Sequence, residues 1–223
     1  MVYTHLSLWG ILFVPIMFYG IIPQISLIHD LPIIFPKVHD PWFLLYISLF
    51  MVTYTRDMVD ILRSDYGSFS KWWNDQRMWL IRGVTSYPFK ITEALIKQMG
   101  FYNIGFEVTS KVTDKDANYR YKKGIFDFGV ESVFMVSLGL FALMSLVAFF
   151  VGFFRILSMA DTRFEDSALS LLLCGFVVFN CWPIYEAMLF REDSGRIPRK
   201  CVKLSISLAI ALYFVIMPIS YFS

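Results

Sequence analysis

Apolar positions in this chain do not alternate with polar ones. They run together in long blocks separated by short polar stretches. A helix crosses the hydrocarbon core of a bilayer with about 20 apolar residues. Residues 1–28 contain no Asp, Glu, Lys or Arg, which predicts a span near 6–27, kinked at Pro15 and Pro23 as membrane helices tolerate. Residues 41–55 are uncharged but short. Extended to Leu62 they reach spanning length, with Arg56, Asp57 and Asp60 at the polar end and Arg56 one turn from Asp60. Residues 132–154 form an unbroken run of 23 between Glu131 and Arg155. Residues 167–185 form a run of 19, extended past Glu186 to Phe190, and residues 204–223 are uncharged. A sixth block, 84–99, carries Lys90, Glu93, Lys97 and Pro88. Charges at a helix centre cost about 2.5–3.5 kcal/mol each on insertion scales. That block predicts a helix along the surface instead of a span.

The stretch 68–82, SFSKWWNDQRMWLIR, places Phe69, Trp72, Trp73, Gln76, Trp79 and Leu80 at helical spacing, with Lys71, Asn74, Asp75 and Arg77 between them. Ser68 or Ser70 is positioned to cap its start. Amphipathic helices with tryptophan on one side and cations on the other lie in the membrane interface, so Trp72, Trp73 and Trp79 point to contact with membrane lipid. A helix packed on its own protein would read the same way. Residues 106–111, FEVTSK, begin with alternating aromatic and branched residues that favour an extended strand. The polar run VTDKDANYRYKKG follows and predicts a mobile loop.

Composition agrees with a membrane protein. In 223 residues the apolar types make up 57% and the charged types 17%, against about 25% charged in an average soluble chain. A disordered chain, a disulfide-built scaffold and a basic nucleic-acid-binding domain are all excluded. With 20 Lys+Arg against 18 Asp+Glu the net charge is only +2, so placement matters more than sum. Five spans with a cytosolic N-terminus leave Lys37, Arg155 and Arg163 outside. Twelve Lys/Arg from Arg56 to Lys123 and five from Arg191 to Lys203 then lie inside, as the positive-inside rule requires. The first apolar run is too long, and lacks the basic flank, for a signal peptide. The predicted fold class is therefore an all-α integral membrane protein with about five transmembrane helices. Residues 1–62 hold two spans, residues 63–127 are cytosolic with interfacial helices and a loop, and residues 128–223 hold three spans.

Side chains suited to chemistry are few. Cys174 and Cys181 share a helix face seven residues apart with no His beside them, which reads as packing and not metal ligation. Asp114-Lys115-Asp116 is formally D-x-D, a pattern able to hold Mg²⁺ or Mn²⁺. It stands in a polar loop with no nucleotide-binding strand before it, so no metal site is assigned. Glu131, Arg155 and Glu186 lie near span ends, where snorkelling explains them better than an ion path.

Taken together, WWNDQRMWLIRGVTSYPF, FEVTSK, RYKKGIFDFG, WPIYEAMLFREDSGRIP and IIFPKVHDPWF resemble the C-terminal membrane region of plant cellulose synthases and cellulose synthase-like proteins. The resemblance covers essentially the whole chain. REDSGRIP is most similar to the E and G branches. F-x-V-T-x-K is the most specific element, and in that family it is the gating loop that closes over the UDP-sugar. The resemblance maps that role onto Phe106, Val108, Thr109 and Lys111. Thr109 can hydrogen-bond and Lys111 can offset diphosphate charge.

The family's catalytic motifs, D, D-x-D, T-E-D and Q-x-x-R-W, do not occur here in that arrangement. The resemblance therefore implies the channel and gate of a larger family 2 glycosyltransferase. The piece alone is expected to be inactive, with no catalytic residue and no cofactor of its own. The complete enzyme would use a UDP-sugar with Mg²⁺ or Mn²⁺ to extend a β-glycan for the plant cell wall, with aromatic residues such as Trp9, Trp42, Trp182 and Tyr185 as candidates for facing the sugar. Golgi membrane is the expected location, with endoplasmic reticulum and plasma membrane as alternatives. Two other readings stay open: a non-catalytic assembly partner of full-length synthase subunits, and part of a triterpenoid glucuronosyltransferase of the same family.

Overall fold

The structure, a computed structural model, describes residues 20–29, 38–64, 67–100, 119–120, 122–158 and 162–216. Its helices are α1 (Ile22–His29), α2 (Pro41–Leu62), α3 (Phe69–Val84), α4 (Ser86–Gln98), α5 (Val133–Ser158), α6 (Thr162–Asn180), α7 (Trp182–Leu189) and α8 (Arg199–Ile216). Among the described residues there is no strand, so the fold is all-α as the apolar blocks predict. The stretch 106–111, expected to be extended, lies outside the described residues.

α5 is the central element, packed against α1, α6, α7, α8 and α3. Small residues on several of its faces explain how it holds so many neighbours, because they let helix backbones approach closely. At Gly139 a Cβ would stand 2.7 Å from Ser205 Oγ of α8, and at Gly152 a Cβ would stand 2.7 Å from Leu27 Cδ2 of α1. Between them Ala142 and Ala148 are fully buried. The main core gathers Leu138, Phe141, Val177, Ile184, Tyr185 and Ile197 around this helix.

Several polar groups in the bundle are tied down by hydrogen bonds, as most buried polar groups are. Gln24 Nε2 donates to Ser145 Oγ at 2.6 Å, and Ser145 Oγ donates to the Phe141 carbonyl at 2.8 Å. Arg155 donates to the carbonyls of Leu27 and Ile28 at 3.0 and 3.3 Å. A charge near the end of α5 thus satisfies the orphan carbonyls at the end of α1.

α6 and α7 depart from the single run expected over 167–190. The chain bends by 50° between Asn180 and Trp182. Pro183, in the first turn of α7, has no N–H for the carbonyl four residues back and cannot continue α6. Among the described residues α5 alone is long and apolar enough to cross a membrane, with the bent α6–α7 pair a second candidate. α2 has the length, at 22 residues, but carries Arg56, Asp57 and Asp60 in its last two turns. α8 carries Arg199, Lys200 and Lys203 in its first two. Most of the expected first span, 6–27, lies outside the described residues.

Candidate functional site

Three helices, with Gly20 at the edge, line a part-open aromatic chamber of about 490 Å³. α2 contributes Tyr46, Leu49, Phe50, Thr53 and Tyr54, α3 contributes Gln76, Trp79 and Leu80, and α6 contributes Leu173, Phe176, Val177 and Asn180. Each set recurs at intervals of one, three and four residues, the spacing of one helical face. Phe176 meets both Phe50 and Tyr54 edge-on with centroids 5.5 Å apart, and Phe50 lies 4.4 Å from Tyr54. Such pairs add about 0.5–1.5 kcal/mol each beyond their buried area and hold the wall rigid. Thr53 spends its hydroxyl hydrogen on the Leu49 carbonyl at 2.8 Å. Asn180 stands at the α6–α7 break, 2% exposed. Its Nδ2 donates to the Phe176 carbonyl at 2.8 Å, while its buried Oδ1 has no hydrogen-bond partner.

The three tryptophans of α3 have three different environments. Ser68 caps the helix, its side chain accepting from the Lys71 N–H at 3.2 Å. Trp72 is 6% exposed and packs on Phe69 and Trp73 at 5.3 Å and on Tyr54 at 6.2 Å. Trp73 meets Phe179 at 5.4 Å, and the Arg77 guanidinium lies 5.9 Å over its ring. Burial lowers the Arg77 pKa, and Glu186 opposes that shift. Trp79 is 45% exposed, meets Tyr87 edge-on and reaches the chamber. The aromatic residues expected to face a sugar are placed elsewhere. Trp42 and Trp182 are exposed, Tyr185 is buried with its hydroxyl donating to the Ala142 carbonyl at 2.8 Å, and neither they nor Tyr185 line the chamber. Trp9 lies outside the described residues.

A second constellation joins residues 120–129 to residues 191–195. Phe106, Val108, Thr109 and Lys111 lie outside the described residues, as do Asp114 and Asp116. Downstream of them, Arg120 donates to Asp127 Oδ2 from Nε at 3.1 Å and from Nη2 at 2.7 Å. Its Nη1 donates to Ser194 Oγ at 2.9 Å and lies 3.9 Å from Asp193. Arg191 grips Asp193 with two bonds of 2.8 and 2.6 Å and donates a third to the Phe126 carbonyl at 2.7 Å. Hydrogen bonding from Arg191 is the largest cause holding the Asp193 carboxyl below its usual pKa.

Backbone bonds join the same parts. The Phe128 N–H donates to the Gly195 carbonyl at 3.0 Å, and Asn74 Nδ2 of α3 donates to the Gly124 carbonyl at 3.1 Å. Gly195 leaves the space that the Arg191 and Arg120 guanidiniums fill, and a Cβ at Gly129 would collide with the Ser194 carbonyl oxygen. RYKKGIFDFG and REDSGRIP, remote in sequence, are thus one structural unit. Among the described residues no three His, Cys, Asp or Glu side chains come together to hold a metal ion, so no step is assigned to a divalent cation here.

Comparison with known proteins identifies the family. The cellulose synthase family model matches residues 1–223. The chain is 33% identical over 217 residues to cellulose synthase-like protein E1 of Oryza sativa subsp. japonica, covering 96% of this chain and 29% of that protein. It is 31% identical over 194 residues to quillaic acid 3-O-glycosyltransferase CSL1 of Saponaria officinalis, covering 87% of this chain and 27% of that protein. Identity to cellulose synthase A catalytic subunit 3 of Arabidopsis thaliana is 24% over 117 residues, 52% of this chain and 11% of that protein. No solved structure matches. The chain spans less than a third of the length of these relatives, and across that length it belongs to the cellulose synthase family.

Proposed function

We propose that this chain forms the membrane channel and gate of a UDP-sugar-dependent glycosyltransferase, with the aromatic chamber between α2, α3 and α6 as part of the path for a growing β-glycan. The chamber is the observation that carries this reading. Pyranose rings present flat apolar faces that pack on aromatic rings, much as nucleobases stack on aromatic platforms. The nucleotide and acid–base chemistry would come from groups this chain does not supply. The polar loop holding Phe106, Val108, Thr109 and Lys111 closes over the UDP-sugar, and the Arg120 clamp fixes its downstream foot.

The chain crosses the membrane five times, with 63–127 in the cytosol. The charges of α2 and α8 support this arrangement, because each set gathers at the end that it makes cytosolic. Phe150, Phe154, Leu157, Leu45 and Val52 stand exposed on α5 and α2, as lipid-facing residues do. The Golgi membrane is the proposed location.

Microsomes carrying the complete synthase and a labelled UDP-sugar panel test the reading. Label enters glycan with one donor, Lys111→Ala slows incorporation and Trp79→Ala shortens the product. Transfer by the 223-residue chain alone would refute it. In sealed microsomes trypsin added from the cytosolic side cuts after Lys122 or Lys123 and spares Arg155. Cutting at Arg155 would refute the topology. A second reading rests on the similarity to quillaic acid 3-O-glycosyltransferase CSL1: the acceptor is a triterpenoid and the chamber holds its ring system. Label in an organic-soluble glycoside, with none in polymer, is the outcome that would select it.

A further inference from the structure

We infer that the outward face of α8 binds one anionic phospholipid, its headgroup phosphate held by Arg199 and Lys203 and an acyl chain lying along Ile206, Ile210 and Phe214. The inference rests on the membrane-crossing reading above and adds to it a fixed lipid of stated charge.

The register of α8 builds this face. Positions 199, 203, 206, 210 and 214 are separated by four, three, four and four residues, so the five side chains share one stripe of the helix. All five are exposed. The bundle holds the opposite side. Cys201 and Ser205 are buried, and Ser205 Oγ lies 2.9 Å from the Val136 carbonyl of α5. Each stands two residues beyond a cation of the stripe, about 200° around the helix.

The stripe changes character once. Two cations come first and apolar side chains follow to its end. From Lys203 to Phe214 the helix rises about 16 Å, close to half of a hydrocarbon core about 30 Å thick. A headgroup at Lys203 therefore leaves one leaflet's depth of apolar surface for its chain.

The two cations are available to a ligand. Lys200, beside them in sequence but off the stripe, lies 3.4 Å from Glu131. Among the described residues neither Arg199 nor Lys203 has a carboxylate in ion-pair range, and the nearby Asp193 is held by Arg191. Cations one turn apart can bracket a single phosphate in charge-assisted bonds. A soluble anion would match them and leave Ile206, Ile210 and Phe214 uncovered, whereas a phospholipid matches both halves of the stripe.

Native mass spectrometry of the 223-residue chain, released from detergent micelles, tests the inference. The probes are dioleoyl phosphatidic acid and dioleoyl phosphatidylcholine, which differ in charge and share their chains. Wild type is expected to hold one phosphatidic acid in preference to phosphatidylcholine. The double variant Arg199→Gln/Lys203→Gln weakens phosphatidic acid about 30-fold, about fivefold for each cation, and leaves phosphatidylcholine unchanged. Lys200→Gln preserves the preference, and Ile210→Ser weakens both lipids. Glycerol 3-phosphate, a headgroup without chains, does not displace the lipid. Equal binding of the two lipids to wild type would overturn the inference. So would a fivefold loss in Lys200→Gln, which would mean diffuse attraction and not a site, or displacement by glycerol 3-phosphate. A lipid-free dimer that Ile210→Ser splits would give the face to a second copy and overturn it as well. Retention of the chain in phosphatidylcholine membranes through carbonate washing separates the two readings. Loss from the membrane would overturn both, and retention with equal lipid binding would overturn the lipid site alone.

Discussion

Replacing Arg120 by Met removes the centre of the clamp while keeping an unbranched side chain of similar reach. Three donor contacts are lost: two to Asp127 Oδ2, at 3.1 and 2.7 Å, and one to Ser194 Oγ at 2.9 Å. Hydrogen bonds to a charged partner contribute about 1.5–3 kcal/mol each when buried. The Arg120 side chain is 10% exposed, but Asp127 is 36% exposed, so water recovers part of the loss. Asp193 keeps its two bonds to Arg191 and adds little. The net cost is about 2 kcal/mol, or about 30-fold in a local opening equilibrium. Hydrogen exchange reads this directly where opening and closing are fast. The Phe128 N–H, bonded to Gly195, and the Ile125 N–H, bonded to the Arg120 carbonyl, should exchange about 30-fold faster, by the same conversion. Amides of α5 between Phe141 and Ala148 should not change. Protection of Phe128 and Ile125 within about threefold of wild type, a small fraction of the conversion above, would refute the reasoning. So would equal loss in α5, which would mean that the clamp is part of global stability and not a local fastening.

Other perturbations follow from the same contacts. Arg191 holds the Asp193 carboxyl below its usual range. The sign is that of a depressed acid: its contribution is complete above the unfolded pKa of about 3.9 and fades as pH falls through the folded value. Protection of the Phe128 amide, corrected for the intrinsic exchange rate, should stay flat from neutral pH to about 5 and decline only below about 4; a decline centred near pH 6 would refute the assignment. Gly139→Val drives a side chain into Ser205, whose Oγ lies 2.9 Å from both the Val136 and Cys201 carbonyls. Overpacking of this kind costs about 1–3 kcal/mol, which lowers the thermal midpoint by several degrees, and Ser205→Gly in the same chain should recover part of it. Full stability of the single variant would refute the close α5–α8 approach.

The sequence reveals elements more readily than it reveals what those elements enclose. The apolar blocks predict the helices because a run such as 132–154 has no other stable form, and α5 follows it closely at Val133–Ser158. Ser68 is legible as one of two candidate caps, beside Ser70, because capping is decided within one turn, and the structure selects Ser68. The bend at Asn180 was also present in the sequence, since Pro183 sits inside the run 167–190. Hydropathy averages over a proline and hides it, whereas hydrogen-bond accounting does not. The chamber is different in kind. Trp79 reads as one of three similar tryptophans on an amphipathic helix, and nothing within α3 separates it from Trp72. What separates them is α2 and α6: Tyr54 covers Trp72, while Trp79 looks toward the space that Phe50 and Phe176 leave open. Asn180 carries the same lesson further. A lone Asn in an apolar run reads as a residue that bonds its own helix, and Nδ2 does. The unsatisfied half of the amide shows only once the break has turned α7 away and the neighbours that might have donated to Oδ1 are counted. The clamp was half legible. REDSGRIP and RYKKGIFDFG stand out as polar, glycine-bearing turns, but their charges balance only in three dimensions. Arg120, 73 residues before Asp193, lies 3.9 Å from it, and no local pattern relates the two.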